Sequence, residues 1–184
     1  MSIQPDRWIS QMAQEKQMIV PFEKNQVKKG NISFGLSSFG YDIRLDNEFK
    51  LYNPPEDFIL DPKKMSESLF RHSKTDVCTV PANSFVLAKS IEYFKIPGNV
   101  VGIVVGKSTY ARCGVIVNVT PLEPGWEGYL TISITNSAVY PVKIYANEGI
   151  AQILFFASNQ DCAVSYRDRK GKYQSQKDIT LSRL

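Results

Sequence analysis

The sequence predicts an all-β protein, a distorted β-barrel or jelly-roll-like sandwich with one short N-terminal helix. Three observations favour this fold class. Runs of β-branched and aromatic residues recur along the chain, Gly, Pro and Asn separate these runs, and helical periodicity largely stops after the N-terminus. Many short strands at this spacing are typical of sandwiches and barrels.

The N-terminal helix is predicted over residues 5–17. Pro5 suits a first helical turn, where its missing N–H costs no hydrogen bond. Trp8, Ile9 and Met12 then share one face of the helix. A short second helix is predicted at 107–113, directly after an apolar run.

The clearest strand candidates are apolar runs bounded by turn residues. These runs span residues 85–88, 100–105, 114–119 and 150–156. Residues 53–76 are polar and lack alternation, so they predict a long surface loop, partly helical around 62–69, with His72 as a solvated loop residue. Asp42 and Arg44 are two residues apart on a predicted strand, where side chains share a face; this spacing allows an ion pair, and we expect a structural or interface role for both residues.

Composition indicates one ordinary globular domain spanning residues 1–184. The chain is 43% hydrophobic and 22% charged, and its 184 residues are enough to bury a sizeable core. The net charge of +4 is small and the basic residues are scattered, so no nucleic-acid partner is predicted. We find no apolar signal segment or membrane-spanning stretch. Three widely spaced cysteines favour a reducing compartment, and we expect a cytoplasmic protein.

The chemistry-bearing residues concentrate between positions 106 and 136. Lys107, Ser108, Thr109 and Arg112 place two cations and two hydroxyls within six residues, which suits phosphate oxygens and a held water. The alternative is a polar helix start capped by Ser108 or Thr109. A carboxylate, Glu123, follows on a Pro/Gly turn.

Two common nucleotide chemistries do not fit these residues. A zinc-dependent deaminase needs a His/Cys ligand cluster with a Cys-x-x-Cys pair, whereas this chain has one histidine and no paired cysteines. A P-loop would require glycine at position 101, which is Val101. The sequence therefore predicts neither a zinc cofactor nor a Walker-type site.

Five blocks of this sequence resemble the dCTP deaminase family of the trimeric dUTPase superfamily. They occur in the family's order and cover nearly the whole chain: 37–44, 80–85, 106–136, 144–152 and 171–176. The resemblance implies deamination of dCTP to dUTP and ammonia, which feeds dUMP and thymidylate synthesis. It also implies magnesium bound with the triphosphate, no zinc, and a homotrimer with active sites shared between subunits. The sequence does not decide whether dTTP inhibits, as is common in relatives.

The resemblance also assigns the site. Lys107 and Arg112 would contact phosphate oxygens or developing charge, and Ser108 would position the attacking water. The tail 165–184 would close over the nucleotide, although alone it reads as a basic unstructured segment. The full set implied for nucleotide binding comprises Lys107, Ser108, Thr109, Arg112, Thr120, Pro121, Glu123, Trp126, Gln152, Tyr166, Lys172, Tyr173 and Gln176.

One position departs from the family pattern. The family's catalytic glutamate lies on the strand that here reads Thr131-Ile132-Ser133-Ile134, and Ser133 occupies its place. A serine hydroxyl is no base near neutral pH, and general acid–base catalysis contributes about 10²- to 10⁴-fold in rate. Three hypotheses follow: a deaminase in which Glu123 transfers the proton, a dUTP pyrophosphatase using Glu123, and a catalytically silenced nucleotide-binding protein.

Overall fold

The computed structural model describes residues 2–183. Strands dominate it: Ser2–Ile3 (β1), Ile19–Val20 (β2), Gly35–Ser37 (β3), Gly40–Tyr52 (β4), Phe70–Lys74 (β5), Val77–Val80 (β6), Ser84–Lys95 (β7), Val100–Gly106 (β8), Val115–Asn118 (β9), Glu127–Asn136 (β10), Val142–Tyr145 (β11) and Gly149–Ala157 (β12). The helices are Asp6–Lys16 (α1), Ser108–Ala111 (α2) and a 3₁₀ turn at Glu67–Leu69. The predicted all-β class with a short N-terminal helix is confirmed.

One curled sheet holds ten strands. Its main path runs β1-β12-β4-β7-β10-β9. Four further strands pair with strands of this path: β8 with β12, β3 and β5 with β4, and β2 with β7. A separate ribbon pairs β6 with β11. Strand β4 joins the two halves, because residues 41–44 pair with β12 and residues 45–51 pair with β7. The long strand thereby curls the sheet around one core.

The core fills the inside of this curl. Strand β7 alternates buried and half-buried residues along most of its length, and β10 does so along all of it, as expected for a sheet with one face inward. The fully buried large side chains include Phe49, Phe94, Ile132, Ile153 and Phe155. Hydrophobic burial of this kind is the main stabilising contribution to the fold.

Helix α1 closes one end of the core through the face that its sequence predicted. Ile9 and Ala13 are buried, and Trp8 and Met12 pack against the core from its edge. The Trp8 ring lies 6.3 Å from that of Phe155 on β12. The helix ends at Gln17 in a left-handed conformation.

The prediction for residues 53–76 is wrong in part. Residues 70–74 form β5, which pairs with the second half of β4, and the helical part is only the 3₁₀ turn. His72 therefore lies on a strand, exposed, with its Nε2 3.1 Å from Oε2 of Glu67. Strand β5 was missed because most of its side chains are polar and exposed, so it carries no apolar alternation.

Asp42 and Arg44 do not form the ion pair that their spacing allows, and each pairs with another residue. The Asp42 carboxylate pairs with Lys107 across 2.6 Å, and the Arg44 guanidinium pairs with Glu92 across 2.7 Å. Both acids are buried, so each cation compensates a carboxylate removed from water. The structural role predicted for these residues stands, but with partners from distant strands.

Within residues 2–183, neither helix is long enough and apolar enough to cross a membrane.

Candidate active site

A cavity of about 590 Å³ opens on the half of the sheet that holds β7, β9 and β10. Its wall is largely apolar, and side chains from strands β7 and β10, the loop 119–126 and the C-terminal segment line it. Ligand pockets for small molecules are concave, mostly apolar and of this size, with a few placed polar groups. The cavity is therefore the candidate active site.

Strand β10 supplies the polar centre of the cavity wall. Thr131 and Ser133 both line the cavity, because residues two apart on a strand point to the same face. Ser133 lies directly between Leu87 on β7 and Asn118 on β9 in the strand register, and these two neighbours also line the cavity. The position at which the family pattern places a glutamate is thus inside the cavity.

A tight turn carries Glu123 to the edge of this cavity. Trp126 N donates to Glu123 O across 3.1 Å, with Pro124 second in the turn and Gly125 third at φ +78°. This is the residue pattern of a type II turn. Glycine is needed at position 125 for two reasons: φ is positive there, and a Cβ would lie 2.8 Å from Cβ of Ser165.

The loop before the turn is fixed to the opposite half of the sheet. Leu122 exchanges both backbone hydrogen bonds with Gly102 on β8, at 2.8 and 3.0 Å. Thr120 and Pro121 precede this anchor and line the cavity with Glu123 and Trp126. The sequence block thus forms one continuous wall.

The C-terminal segment folds across the cavity. The indole Nε1 of Trp126 donates to Tyr173 O across 2.9 Å, and Tyr173 N donates to the Tyr166 hydroxyl across 3.0 Å. Gln176 Nε2 donates to Thr131 Oγ1 across 2.7 Å. The segment is therefore ordered across the cavity rather than unstructured, and its closure over a nucleotide stays a prediction.

Four predicted tail residues line the cavity: Tyr166, Lys172, Tyr173 and Gln176. The Lys172 ammonium lies 5.3 Å from the centre of the Tyr173 ring and donates to the carbonyl of Arg183. Among the described residues that line the cavity, Lys172 is the one cation and Glu123 the one carboxylate. Glu123 is itself paired with Arg169 at the surface.

The residues in and next to α2 that were predicted to bind phosphate do not line this cavity. Ser108, Thr109 and Arg112 are exposed, and Arg112 reaches Ser108 O at 3.0 Å within its own helix. Strand β8, which leads into α2, pairs with β12 on the other half of the sheet. Helix α2 therefore begins away from the cavity of its own chain.

Lys107 and Gln152 contact the interior instead of the cavity. Lys107 Nζ donates to Asp42 and to Ser33 Oγ, and Gln152 Nε2 donates to Ser37 Oγ and to Asp42 Oδ1. Both side chains thus belong to one buried polar cluster around Asp42. This cluster fixes the start of α2 relative to β4 and β12.

Tyr110 anchors the same helix from its other side. The side chain is buried, and its hydroxyl accepts from Tyr145 N across 3.0 Å. Burial raises the pKa of Tyr110 to about 12. The hydroxyl therefore stays protonated, and α2 presents its exposed polar residues on a rigid base.

Sequence reasoning missed several lining residues, notably Phe85, Leu87, Asn118, Thr131, Thr180 and Ser182. Alternation along β10 would have found Thr131, because it is two residues before Ser133. Nothing local marks Asn118 or Thr180, because the strand register brings one to the cavity and the folding of the C-terminal segment brings the other.

Two comparisons of the sequence with known proteins point to the same family. A family model described as dCTP deaminase-like matches residues 3–158. The chain is 58% identical to a protein of Herpetosiphon aurantiacus and 54% identical to one of Nitrosomonas europaea, both named dCTP deaminase, with full coverage of each chain.

The fold has a solved counterpart. It resembles the crystal structure of 2'-deoxycytidine 5'-triphosphate deaminase from Agrobacterium tumefaciens with a TM-score of 0.64 at 12% identity. The match covers 85% of this chain and 48% of that one, so this chain spans about half the length of the solved protein. At this identity the similarity concerns the fold alone.

Proposed function

Because this chain belongs to the dCTP deaminase family, we propose that it binds dCTP in the cavity and hydrolyses the 4-amino group to give dUTP and ammonia. The observation that carries the proposal is the coincidence of two results. Full-length relatives bear this name, and the cavity gathers eight of the residues that the sequence assigned to the nucleotide: Thr120, Pro121, Glu123, Trp126, Tyr166, Lys172, Tyr173 and Gln176.

The cavity wall suggests how dCTP lies. The apolar wall beside Leu87 and Trp126 suits the base and deoxyribose. Lys172 suits the triphosphate, which carries Mg²⁺ with it as part of the substrate. The Gln176 amide donates to Tyr129 O and to Thr131 Oγ1, so it holds the C-terminal segment on the cavity wall.

A complete site requires a second copy of the chain. Ser108 and Arg112 are exposed on α2 and lie outside the cavity of their own chain, although the family resemblance assigns them to the phosphates and the water. A homotrimer in which α2 of one subunit meets the cavity of the next would bring these two residues to the nucleotide. Sedimentation equilibrium would test it, with a monomer as the contradicting result.

Proton transfer proceeds without a carboxylate at position 133. Water adds to C4 of cytosine as one of its protons passes to N3; the second proton is delivered to the 4-amino group, the C4–N bond breaks, and ammonia departs to leave the C4 carbonyl of uracil. Glu123 is the only carboxylate among the described lining residues, so we assign this transfer to it. Relative to a carboxylate on β10, we expect turnover slower by about 10²- to 10⁴-fold.

Product analysis tests the proposal directly. Purified protein is incubated with dCTP and Mg²⁺, and the nucleotides are separated by chromatography beside Ser133→Glu and Glu123→Gln variants. We expect slow dUTP formation by the natural chain, none by Glu123→Gln, and turnover faster by about 10²- to 10⁴-fold in Ser133→Glu. Wild-type and Glu123→Gln chains of equal activity would overturn the assignment to Glu123.

Ser133 favours a second candidate, a protein that binds dCTP without turnover. Its expected result is tight dCTP binding by calorimetry, no dUTP from the natural chain, and dUTP from Ser133→Glu. The position of Glu123 supports the remaining alternative, a dUTP pyrophosphatase, whose product from dUTP would be dUMP. Running dUTP in parallel separates all three, and added dTTP reports whether it inhibits.

We propose that the reaction uses no zinc and takes place in the cytoplasm. The chain has a single histidine, too few for a typical zinc-deaminase ligand set, and three cysteines without a pairing pattern. Turnover that survives a zinc chelator in the presence of excess Mg²⁺ would support this, and turnover restored only by Zn²⁺ would contradict it.

A further inference from the structure

Lys50 on β4 is a buried lysine whose ammonium holds the C-terminal segment. The residue is 7% exposed, and its Nζ donates to Oε1 of Glu67 across 2.7 Å and to the backbone carbonyl of Ile179 across 2.9 Å. Lysine is rarely buried unless it is paired. Here one partner is a carboxylate of the 3₁₀ turn before β5 and the other belongs to the segment that crosses the cavity.

Contacts of the two neighbouring residues, Asp178 and Thr180, hold the Ile179 carbonyl in place. Asp178 lies 3.6 Å from the ammonium of Lys89 on β7, and Ile179 itself is buried at 5% exposure. Thr180 N then donates to Thr131 Oγ1 across 3.0 Å. Residues 178–180 are thus docked on the face of the sheet that lines the cavity, with Lys50 at the centre.

This docking continues directly into the cavity. Thr180 and Ser182 line it, and Thr131 Oγ1 accepts from both Thr180 N and the Gln176 amide. If the Ile179 carbonyl left Lys50, the segment would lose a hydrogen bond to a charged group, which contributes more than one between neutral groups. The hydrogen bond from Lys50 to the Ile179 carbonyl therefore favours the closed position of the segment over the nucleotide.

We infer that Lys50 is a positioning residue that keeps residues 176–182 closed over the cavity and thereby sets the affinity for the nucleotide. The inference rests on the proposed function for the identity of the nucleotide, dCTP. Lys50 does not line the cavity and so acts through the segment. It would raise affinity because a pre-ordered segment loses less conformational entropy on binding.

Hydrogen exchange of the nucleotide-free protein tests the holding role. Lys50→Met removes the ammonium and keeps most of the side-chain length. The matched control is Lys74→Met, because Lys74 is exposed on β5 and contacts Glu48 at 3.4 Å. We expect exchange in peptides covering 174–183 to be about tenfold faster in Lys50→Met, as for loss of a hydrogen bond to a charged group, and unchanged in the control.

Binding measured by calorimetry then tests the positioning role. The Kd for dCTP is expected to rise about tenfold in Lys50→Met and to stay unchanged in Lys74→Met. Unchanged exchange in the segment, equally faster exchange throughout the chain, or a looser segment with unchanged Kd would each overturn the inference. If the natural chain binds no dCTP, the proposed function fails, while the exchange pattern still decides what Lys50 holds.

A labelling experiment covers the case in which Lys50→Met does not fold. In the natural chain, we expect an amine-acylating reagent to modify the exposed Lys74 quickly and Lys50 slowly. Deleting residues 179–184 should expose Lys50 and raise its labelling rate to that of Lys74. Lys50 labelled quickly in the full chain, or slowly in both chains, would contradict the inference.

Discussion

The ammonium of Lys107 lies 2.6 Å from Oδ2 of Asp42, and both side chains are largely buried. Lys107 comes directly before α2, and Asp42 lies in the first half of β4. The pair therefore ties helix α2, which begins at Ser108 and is followed by Arg112, to the central strand of the sheet. Lys107 was predicted from the sequence to contact phosphate. In the structure its ammonium fixes α2, and Ser108 and Arg112 are the residues proposed to contact the phosphates and the water.

Lys107→Met should destabilise the protein by about 3 kcal/mol, because it leaves the Asp42 carboxylate buried without its cation. Urea unfolding at neutral pH measures the change. Lys143→Met, an exposed lysine on β11, is the control and should change stability by less than about 0.5 kcal/mol. Equal stability of the two variants would show that the buried pair contributes nothing.

Glu48 should make stability depend on pH in the acid range. A hydrogen bond from Lys89 lowers the pKa of this carboxyl below its ordinary value of 4.5 in the folded chain. A lowered folded pKa contributes stability that is present above pH 4.5 and is lost as the pH falls through the folded pKa. Unfolding between pH 6 and pH 3 should therefore show a smaller loss in Glu48→Gln than in the natural chain.

The matching control for that series is Glu56→Gln, in the exposed segment before β5. It should leave the pH dependence of the natural chain unchanged. An identical acid profile in Glu48→Gln would contradict the role of the Lys89 hydrogen bond.

The three cysteines should differ sharply in reactivity. Cys113 and Cys162 are exposed, whereas Cys78 is buried on β6 and its burial raises its pKa to about 11. A thiol reagent at neutral pH should therefore titrate two cysteines in the native protein and the third only after unfolding. Rapid reaction of all three in the native protein would contradict the burial of Cys78.

Gly171→Ala should weaken nucleotide binding with little effect on overall stability. A Cβ at this position would collide with the ring of Tyr166, whose hydroxyl accepts from Tyr173 N. Displacement of the ring breaks that hydrogen bond beside the cavity and should raise the Kd for dCTP by about tenfold. Calorimetry measures the Kd, and thermal unfolding should stay near that of the natural chain because Tyr166 packs against the edge of the core and is only partly buried.

The turn at one end of the cavity could be predicted from a few adjacent residues. The Pro124-Gly125 turn was readable from sequence, because only glycine adopts positive φ there easily and proline favours the preceding turn position. Alternation along β10 would likewise have placed Thr131 on one face with Ser133. These features depend on a few adjacent residues, so local sequence is enough to predict them.

By itself, the sequence determined the all-β class, the face of α1, the turn that carries Glu123 and most of the cavity residues near it. Tertiary structure alone decided the partners of the charges: Lys107 with Asp42, Arg44 with Glu92, and Lys50 with the Ile179 carbonyl. It also placed α2 away from the cavity of its own chain. The physical reason is range, because periodicity and turn preference act over a few residues, whereas the partner of a buried charge depends on which distant strands pair.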